Sequence, residues 1–357
     1  MVQRSLHEKL RVAILFGGRS GEHDVSIASA MSVIDTLNRQ RYDPLPVYLD
    51  QQGNWIPHTT PHNAQKGIIG SATDPFPLLA HQTDIAFPVL HGTHGEDGAI
   101  QGLLEMMDVP YVGPGVVASA TGMDKAVFKQ IMQAHGFPIL PWILVTSKQL
   151  SDSADRVVER IEAAVSYPVF TKPANLGSSV GISRCNNQTE LIAGLEEACC
   201  YDHRIVVEQG IRPRELEIAI LGNDDPQAST IGEIRPKAAF YSYAAKYVSD
   251  DSELLIPAPL DVQLAQQAQK LAIDAYRAID CAGMARVDLF LSLTDDQLYV
   301  NEINTIPGFT EISMYPQLWT ASGIGYSELL DQLIALGLER HHEKKTLKRT
   351  YQYAPTI

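Results

Sequence analysis

Apolar residues follow two rhythms along the chain: short runs stopped by glycine or proline, and longer stretches with apolar positions every three or four residues. Arg11-Val-Ala-Ile-Leu-Phe16 stops at Gly17-Gly18, and Ser26 to Leu37 then carries Ile27, Ala30, Met31, Ile34 and Leu37 at helical spacing. Strand, glycine turn and helix in that order predict the unit of a parallel α/β sheet. Further short strands are predicted at Leu45–Leu49 and Ile85–Leu90, with a helix from about Gly98 to Met107. These elements define a first domain over residues 1–125.

From Lys125 the pattern changes. A helix over Lys125–His135 precedes strands at Pro138–Val145 and Tyr167–Lys172, a helix around Glu190–Cys200 and a strand at Ile205–Glu208, giving a second domain at 126–210. Asn175-Leu-Gly-Ser-Ser-Val-Gly181 joins Val169–Lys172 to Gly181–Arg184, which reads as strand, loop and strand. The third domain, 211–357, carries strands at Glu215–Leu221, Ala285–Leu293 and Leu298–Ile303 and a long helix over Val262–Ala278. Paired strands with segregated helices predict an α+β module here. Arg235 to Ile256, roughly 20 residues without a clear pattern, is long enough to be a lid.

Composition narrows the function classes. The net charge of −14 over 357 residues argues against a nucleic-acid partner, which requires a basic contact face. No apolar run approaches the ~18–20 residues of a membrane helix, and Val12–Phe16 is too short for the apolar core of a signal peptide. Cys185, Cys199, Cys200 and Cys281 show no C-x-x-C spacing and are expected to be reduced thiols in a cytoplasmic protein. The basic run Arg340 to Arg349 is expected to be a solvated helix end.

Five segments carry candidate chemistry. Side chains two apart on a strand share a face, so Arg286, Asp288 and Phe290 point one way, and Glu302 and Asn304 share a face with Val300. A hairpin centred on Asp295 sets Asp288 opposite Glu302. Two carboxylates and an amide oxygen then suit a hard cation such as Mg²⁺; the alternative is a solvated hairpin face. Asn175–Gly181 offers backbone N–H groups and hydroxyls of the kind that cradle phosphate, although no P-loop motif is present; a polar hairpin tip is the alternative. Gly17-Gly-Arg-Ser-Gly21-Glu22-His23 sits where α/β sheets bind ligands, or is a plain turn. His91-Gly-Thr-His94-Gly-Glu96-Asp97-Gly98 is a substrate-side loop, a structural turn or, least in keeping with its spacing, a zinc site. Phe240-Tyr-Ser-Tyr-Ala-Ala-Lys246-Tyr247 is a lid or a packed aromatic loop.

Taken together and in order, seven blocks resemble the D-alanine–D-alanine ligases of the ATP-grasp superfamily over nearly the whole chain: LFGGRSGEHDVS, HGTHGEDGAIQG, TKPANLGSSVGI, VVEQGI, FYSYAAKY, MARVDLFL and NEINTIPGFTEISMYP. The resemblance implies an N-terminal α/β domain followed by a two-part ATP-grasp fold that grips ATP between antiparallel sheets. It implies that ATP phosphorylates one D-alanine carboxylate and that a second D-alanine attacks the acylphosphate, making the dipeptide used for peptidoglycan.

Carried over by position, the resemblance implies that Glu22 binds the first D-alanine's ammonium, linked to Ser178 and Tyr247, with His91 beside the same substrate. Lys125, Lys172 and Ser179 would contact phosphates, Glu208 the adenine amino group, Glu215 the ribose and Lys246 the terminal phosphate. Asp288, Glu302 and Asn304 would hold two Mg²⁺ ions, for which Mn²⁺ can substitute. Arg286 and the Gly308 N–H would form an oxyanion hole, and Ser313 with the Met314 backbone would hold the second D-alanine. A homodimer is implied. The intact Tyr243-Ala-Ala-Lys246-Tyr247 favours the dipeptide over a D-alanyl-D-lactate product. His94 and Gln209 stand where some members differ. Another ATP-grasp carboxylate–amine ligase, a catalytically silent homologue and a metallohydrolase are the rival readings.

Overall fold

The computed structural model describes residues 9–236 and 252–348. Three sheets organise them. The first contains β1 (Leu10–Gly17), β2 (Tyr42–Leu49), β3 (Trp55–Pro57) and β4 (Ile85–Pro88), in the order β3-β2-β1-β4. β1 runs parallel to both β2 and β4, as the strand–turn–helix pattern predicts, while β3 closes one edge antiparallel. Every residue from Val12 to Phe16 is buried, the mark of a parallel strand covered on both faces.

The second sheet holds β5 (Trp142–Thr146), β6 (Val169–Pro173), β7 (Ser183–Cys185) and β8 (Arg204–Gln209), in the order β5-β8-β6-β7, with antiparallel pairing throughout. β6 and β7 are the two strands expected around Asn175–Gly181. The strand expected from Pro138 begins at Trp142, because Pro138 and Pro141 lack the N–H a ladder needs.

The third sheet holds β9 (Pro213–Gly222), β10 (Gln227–Pro236), β11 (Ser252–Leu255), β12 (Gly283–Ser292) and β13 (Leu298–Asn304), in the order β11-β10-β9-β12-β13. The helix Val262–Ala278 lays Ala268, Ala272, Ala275 and Tyr276 against it; small residues let the helix approach the sheet closely. The stretch expected to be irregular from Arg235 to Ile256 starts and ends in strand, since Glu233–Pro236 pairs with Ser252–Leu255. Its middle, with Lys246 and Tyr247, lies outside the described residues.

The C-terminal helix Tyr326–Thr346 buries Leu329, Leu330, Leu333 and Ile334 in the same core as Val12, Ile14 and Phe87 of the first sheet. Each such leucine is worth about 1.5–3 kcal/mol of transfer free energy, so this helix is anchored to the first sheet. The basic run at this helix is not merely solvated. Arg340 donates to the backbone oxygens of Gly113 and Tyr111 and stacks on the Tyr111 ring, and Lys344 pairs with Glu105. Among the described residues no helix is long and apolar enough to cross a membrane.

Candidate active site

A cavity of about 600 Å³ lies between the second and third sheets and the end of the first, within the range of small-ligand sites. Lys125, Lys172 and the Ser178–Ser179 turn line it, together with Asp288, Glu302 and Asn304, the carboxylates of Glu208 and Glu215, and the ring of Phe170. Glu22 enters from the first sheet.

The acidic row depends on strand register. Arg286 pairs with Asn304, and Asp288 lies opposite Glu302, as a hairpin centred on Asp295 requires. Nearer the turn, Leu289 pairs with Val300 and Leu291 with Leu298, so Asn301 is an extra residue in β13. That bulge is what brings Glu302 opposite Asp288; the turn alone would offset the pairing by one residue and reverse the face. It also corrects one expectation. Val300 does not share the face of Glu302 but is buried with Leu289 and Ile303 in the core behind the sheet.

On the other flank Asp288 faces Glu217 of β9, so Glu217, Asp288 and Glu302 stand in line across three strands. Arg286 sits among them. Its Nε and Nη2 donate to Asp288 Oδ1 and Oδ2, both at 2.7 Å, and Nε lies 3.0 Å from Glu217 Oε2. Asn304 Nδ2 donates to Asp288 Oδ2 at 3.0 Å, which turns its own Oδ1 into a further oxygen donor. Asp288, Glu302 and Asn304 thus offer two carboxylates and an amide oxygen bordering the cavity, a donor set that fits Mg²⁺ when phosphate oxygens complete the shell.

Glu22 occupies the N-cap of the helix His23–Thr36, which begins three residues before the predicted Ser26. Ser178 Oγ donates to its carboxylate across 156 residues of chain. Two glycines make room: a Cβ on Gly92 or Gly177 would stand 2.6 or 2.9 Å from Glu22 Oε2. Ser178 and Ser179 adopt φ of +53° and +58°, so the loop holds both in the left-handed region that β-carbon-bearing residues rarely occupy.

The His91–Gly98 segment is a turn locked to a neighbouring loop. Glu96 accepts from Gly92 N at 2.8 Å and Ile306 N at 3.1 Å, and burial together with the nearby Glu22 raises its pKa to about 8. His91 lies 3.0 Å from the Ile306 oxygen through Nδ1 and 2.9 Å from Ser29 Oγ through Nε2. A carbonyl only accepts, so Nδ1 carries the proton and Nε2 accepts from Ser29; burial lowers the pKa of this ring accordingly. Ser29 Oγ also accepts from Phe309 N at 3.2 Å. His91 therefore braces the loop that contains Gly308 and does not line the cavity. His94 is exposed, its N–H bound by Asp97. Of the loop's other candidate ligands, Glu96 is turned to the Gly92 and Ile306 N–H groups and Asp97 to the His94 and Ala99 N–H groups.

Gly308 and Ser313 adjoin each other, a Cβ at 308 falling 2.8 Å from Ser313 Oγ, and Ser313 caps the helix Met314–Ala321 by position. They, with Met314, lie beyond the cavity lining. Lys125 opens the helix Lys125–Ala134, capped by Asp124, and its Nζ donates to the Leu176 oxygen at 2.5 Å in the serine loop. Glu208 is buried with Lys129 on one oxygen and Lys172 on the other. Burial opposes its ionisation, yet the two ammoniums pull its pKa down to about 2.

Three side chains in contact with these groups escaped the sequence reading. Lys129 breaks an apolar face shared with Ala126 and Met132, a visible signal. Glu217 and Ser29 had none, because their relevance rests on pairing with distant segments.

A nucleotide-sized cleft between two antiparallel sheets, with lysines and a serine loop facing a carboxylate hairpin, defines an enzyme of the ATP-grasp class. The descriptions D-ala D-ala ligase N-terminus and D-ala D-ala ligase C-terminus match residues 11–114 and 131–335. The chain belongs to the D-alanine–D-alanine ligase family and is a ligase. A D-alanine–D-alanine ligase of Heliobacterium modesticaldum is 46% identical over 94% of this chain and 97% of its own length, and one of Natranaerobius thermophilus is 44% identical with the same coverage. The solved D-alanine–D-alanine ligase of Coxiella burnetii superposes with a TM-score of 0.83 at 37% identity, covering 95% of this chain and 97% of that one. The VanG D-Ala:D-Ser ligase of Enterococcus faecalis gives 0.82 at 30% identity, covering 92% and 100%.

Proposed function

We propose that this chain joins two D-alanines at the expense of ATP, in the cytoplasm and as a homodimer, to supply the dipeptide of peptidoglycan precursors. The observation that carries the reading is the row Glu217, Asp288 and Glu302, with Arg286 held among them, bordering the cavity that Lys172 of the second sheet and Lys125 of the helix Lys125–Ala134 also line.

The nucleotide lies with its amino group toward Glu208, its ribose toward Glu215 and its phosphates toward Lys125, Lys172 and Ser179. Asp288, Glu302 and Asn304 would hold two Mg²⁺ ions, or Mn²⁺, which would neutralise charge on the transferred phosphoryl group. Glu22 pairs with the ammonium of the first D-alanine, and the Ser178 hydroxyl fixes the carboxylate's direction. One carboxylate oxygen of that D-alanine bonds to the terminal phosphorus while the bond from phosphorus to ADP breaks. The amine of the second D-alanine, its carboxylate held by Ser313 and the Met314 backbone, then adds to the activated carbon and gives up a proton. The tetrahedral adduct's oxygen is stabilised by Arg286 and the Gly308 N–H, on the loop that His91 and Glu96 brace. Collapse releases phosphate and the dipeptide. Lys246 and Tyr247 are assigned to the terminal phosphate and to the Glu22–Ser178 pair by resemblance, outside the described residues.

Phosphate release from MgATP with D-alanine alone, with L-alanine alone, and with D-alanine plus D-lactate or D-serine tests this, products being identified by mass. D-alanyl-D-alanine from D-alanine alone is expected. A depsipeptide or D-alanyl-D-serine as main product would overturn the substrate assignment, and no turnover would overturn ligation. Ser178→Ala removes one hydrogen bond to a charged group, worth about 1.5–3 kcal/mol. Its kcat/KM for D-alanine should fall by roughly 10- to 100-fold, with KM for ATP little changed; equal kinetics would remove Ser178 from substrate positioning.

A further inference from the structure

Lys129 is a lysine with 2% of its side chain exposed, on the inner face of the helix Lys125–Ala134, and it does not line the cavity. Its Nζ donates to Glu208 Oε1, while Lys172 Nζ takes Oε2 at 2.5 Å. Glu208 and Lys172 both border the cavity. Burying an ammonium costs free energy that an apolar residue on this helix face would not. The position therefore calls for a purpose beyond packing.

We propose that Lys129 is a positioning residue for nucleotide recognition, holding Glu208 as a fixed anion that accepts from a purine 6-amino group and releasing Lys172 to the phosphates. The proposal rests on the nucleotide reading of the cleft. An ionised carboxylate offers about four acceptor sites and no donor. The two lysines take two of them, which leaves acceptors to meet an amino group. A 6-oxo purine would set oxygen against oxygen, the mismatch that polar sites reject most strongly.

Charge arithmetic supplies the second half. Two ammoniums and one carboxylate carry a net charge of +1, so Lys172 can turn toward a phosphate while Lys129 keeps Glu208 paired. Without Lys129 the remaining pair is neutral. Lys172 could then leave only by stranding a buried carboxylate, and nucleotide binding would carry that cost.

Equilibrium binding of MgATP and of magnesium inosine triphosphate, whose base carries a 6-oxo group, tests this on the full chain. Wild type should prefer ATP. Lys129→Met should weaken ATP by ~10- to 100-fold, the scale of truncating one partner of a buried charged pair, and shrink the ratio between the two nucleotides. In turnover the loss should fall on KM for ATP, with kcat within about threefold. Lys129→Met/Glu208→Gln should recover ATP affinity to within about tenfold but show no preference, because an amide can present either its oxygen or its nitrogen.

A lowered melting temperature with affinity and preference unchanged would reduce Lys129 to a structural role and overturn the proposal. If Lys129→Met does not fold, the double variant decides: tight binding without preference supports the proposal, and retained preference overturns it. A wild-type chain that prefers ATP yet makes no dipeptide sinks the ligation reading alone. A wild-type chain that makes dipeptide but binds both nucleotides equally sinks this one alone.

Discussion

Arg286→Met should lower kcat by about 10²–10³-fold, the usual effect of removing one oxyanion-hole donor. The guanidinium is held by its neighbours, and its oxyanion role is the one proposed above. It donates twice to Asp288 and lies 3.0 Å from Glu217, so its fork is held within the row of carboxylates, two of whose members, Asp288 and Glu302, line the cavity. Methionine keeps much of the length and removes the charge. Asp288 and Glu217 then face each other on adjacent strands without a cation between them. Stability should fall by about 1–3 kcal/mol as these charged hydrogen bonds are lost. The far-ultraviolet circular dichroism should remain that of the wild type. Product formation with kcat within threefold of wild type would remove Arg286 from the transition state.

Glu208→Leu should be the most destabilising single change in the cleft. It leaves the ammoniums of Lys129 and Lys172, 2% and 12% exposed, without their common carboxylate. Breaking a buried ion pair by removing one partner costs about 3–5 kcal/mol, and nucleotide binding should be lost with it. Denaturant titration reads the first effect and calorimetry the second. The pH dependence has a definite sign. The pKa of Glu208 is depressed from its ordinary 4.5 to about 2, so its contribution is present above the unfolded value and is lost as pH falls toward 2. Wild type should lose stability across that window, and Glu208→Leu, already lacking the contribution, should lose less there. Identical acid limbs for the two proteins would contradict the assignment.

The carboxylate hairpin shows how far the sequence reading reached. Period-two alternation on Arg286, Asp288 and Phe290 placed those side chains on one face, and the structure agrees. The same rule failed on β13, where it grouped Val300 with Glu302. The extra residue, Asn301, breaks the alternation, and a bulge leaves no mark in an apolar pattern because only the partner strand reveals the surplus. Likewise the irregular stretch after Arg235 concealed β11, since a short edge strand acquires its identity from the neighbour it pairs with.

The sequence by itself determined the βα entry at Phe16–Glu22, the strand–loop–strand around Asn175–Gly181, the long helix on the third sheet and the blocks that resemble the ligase family. All of these depend on short-range periodicity, glycine turns or contiguous motifs, which are local quantities. Tertiary structure alone decided that His91 and Glu96 serve the Gly308 loop, and that the last helix completes the first sheet's core. It also decided that Lys129 shares Glu208 with Lys172. Each of these joins residues far apart in the chain. Burial and paired charge give them their energy, and both are properties of the packed molecule that no window of sequence contains.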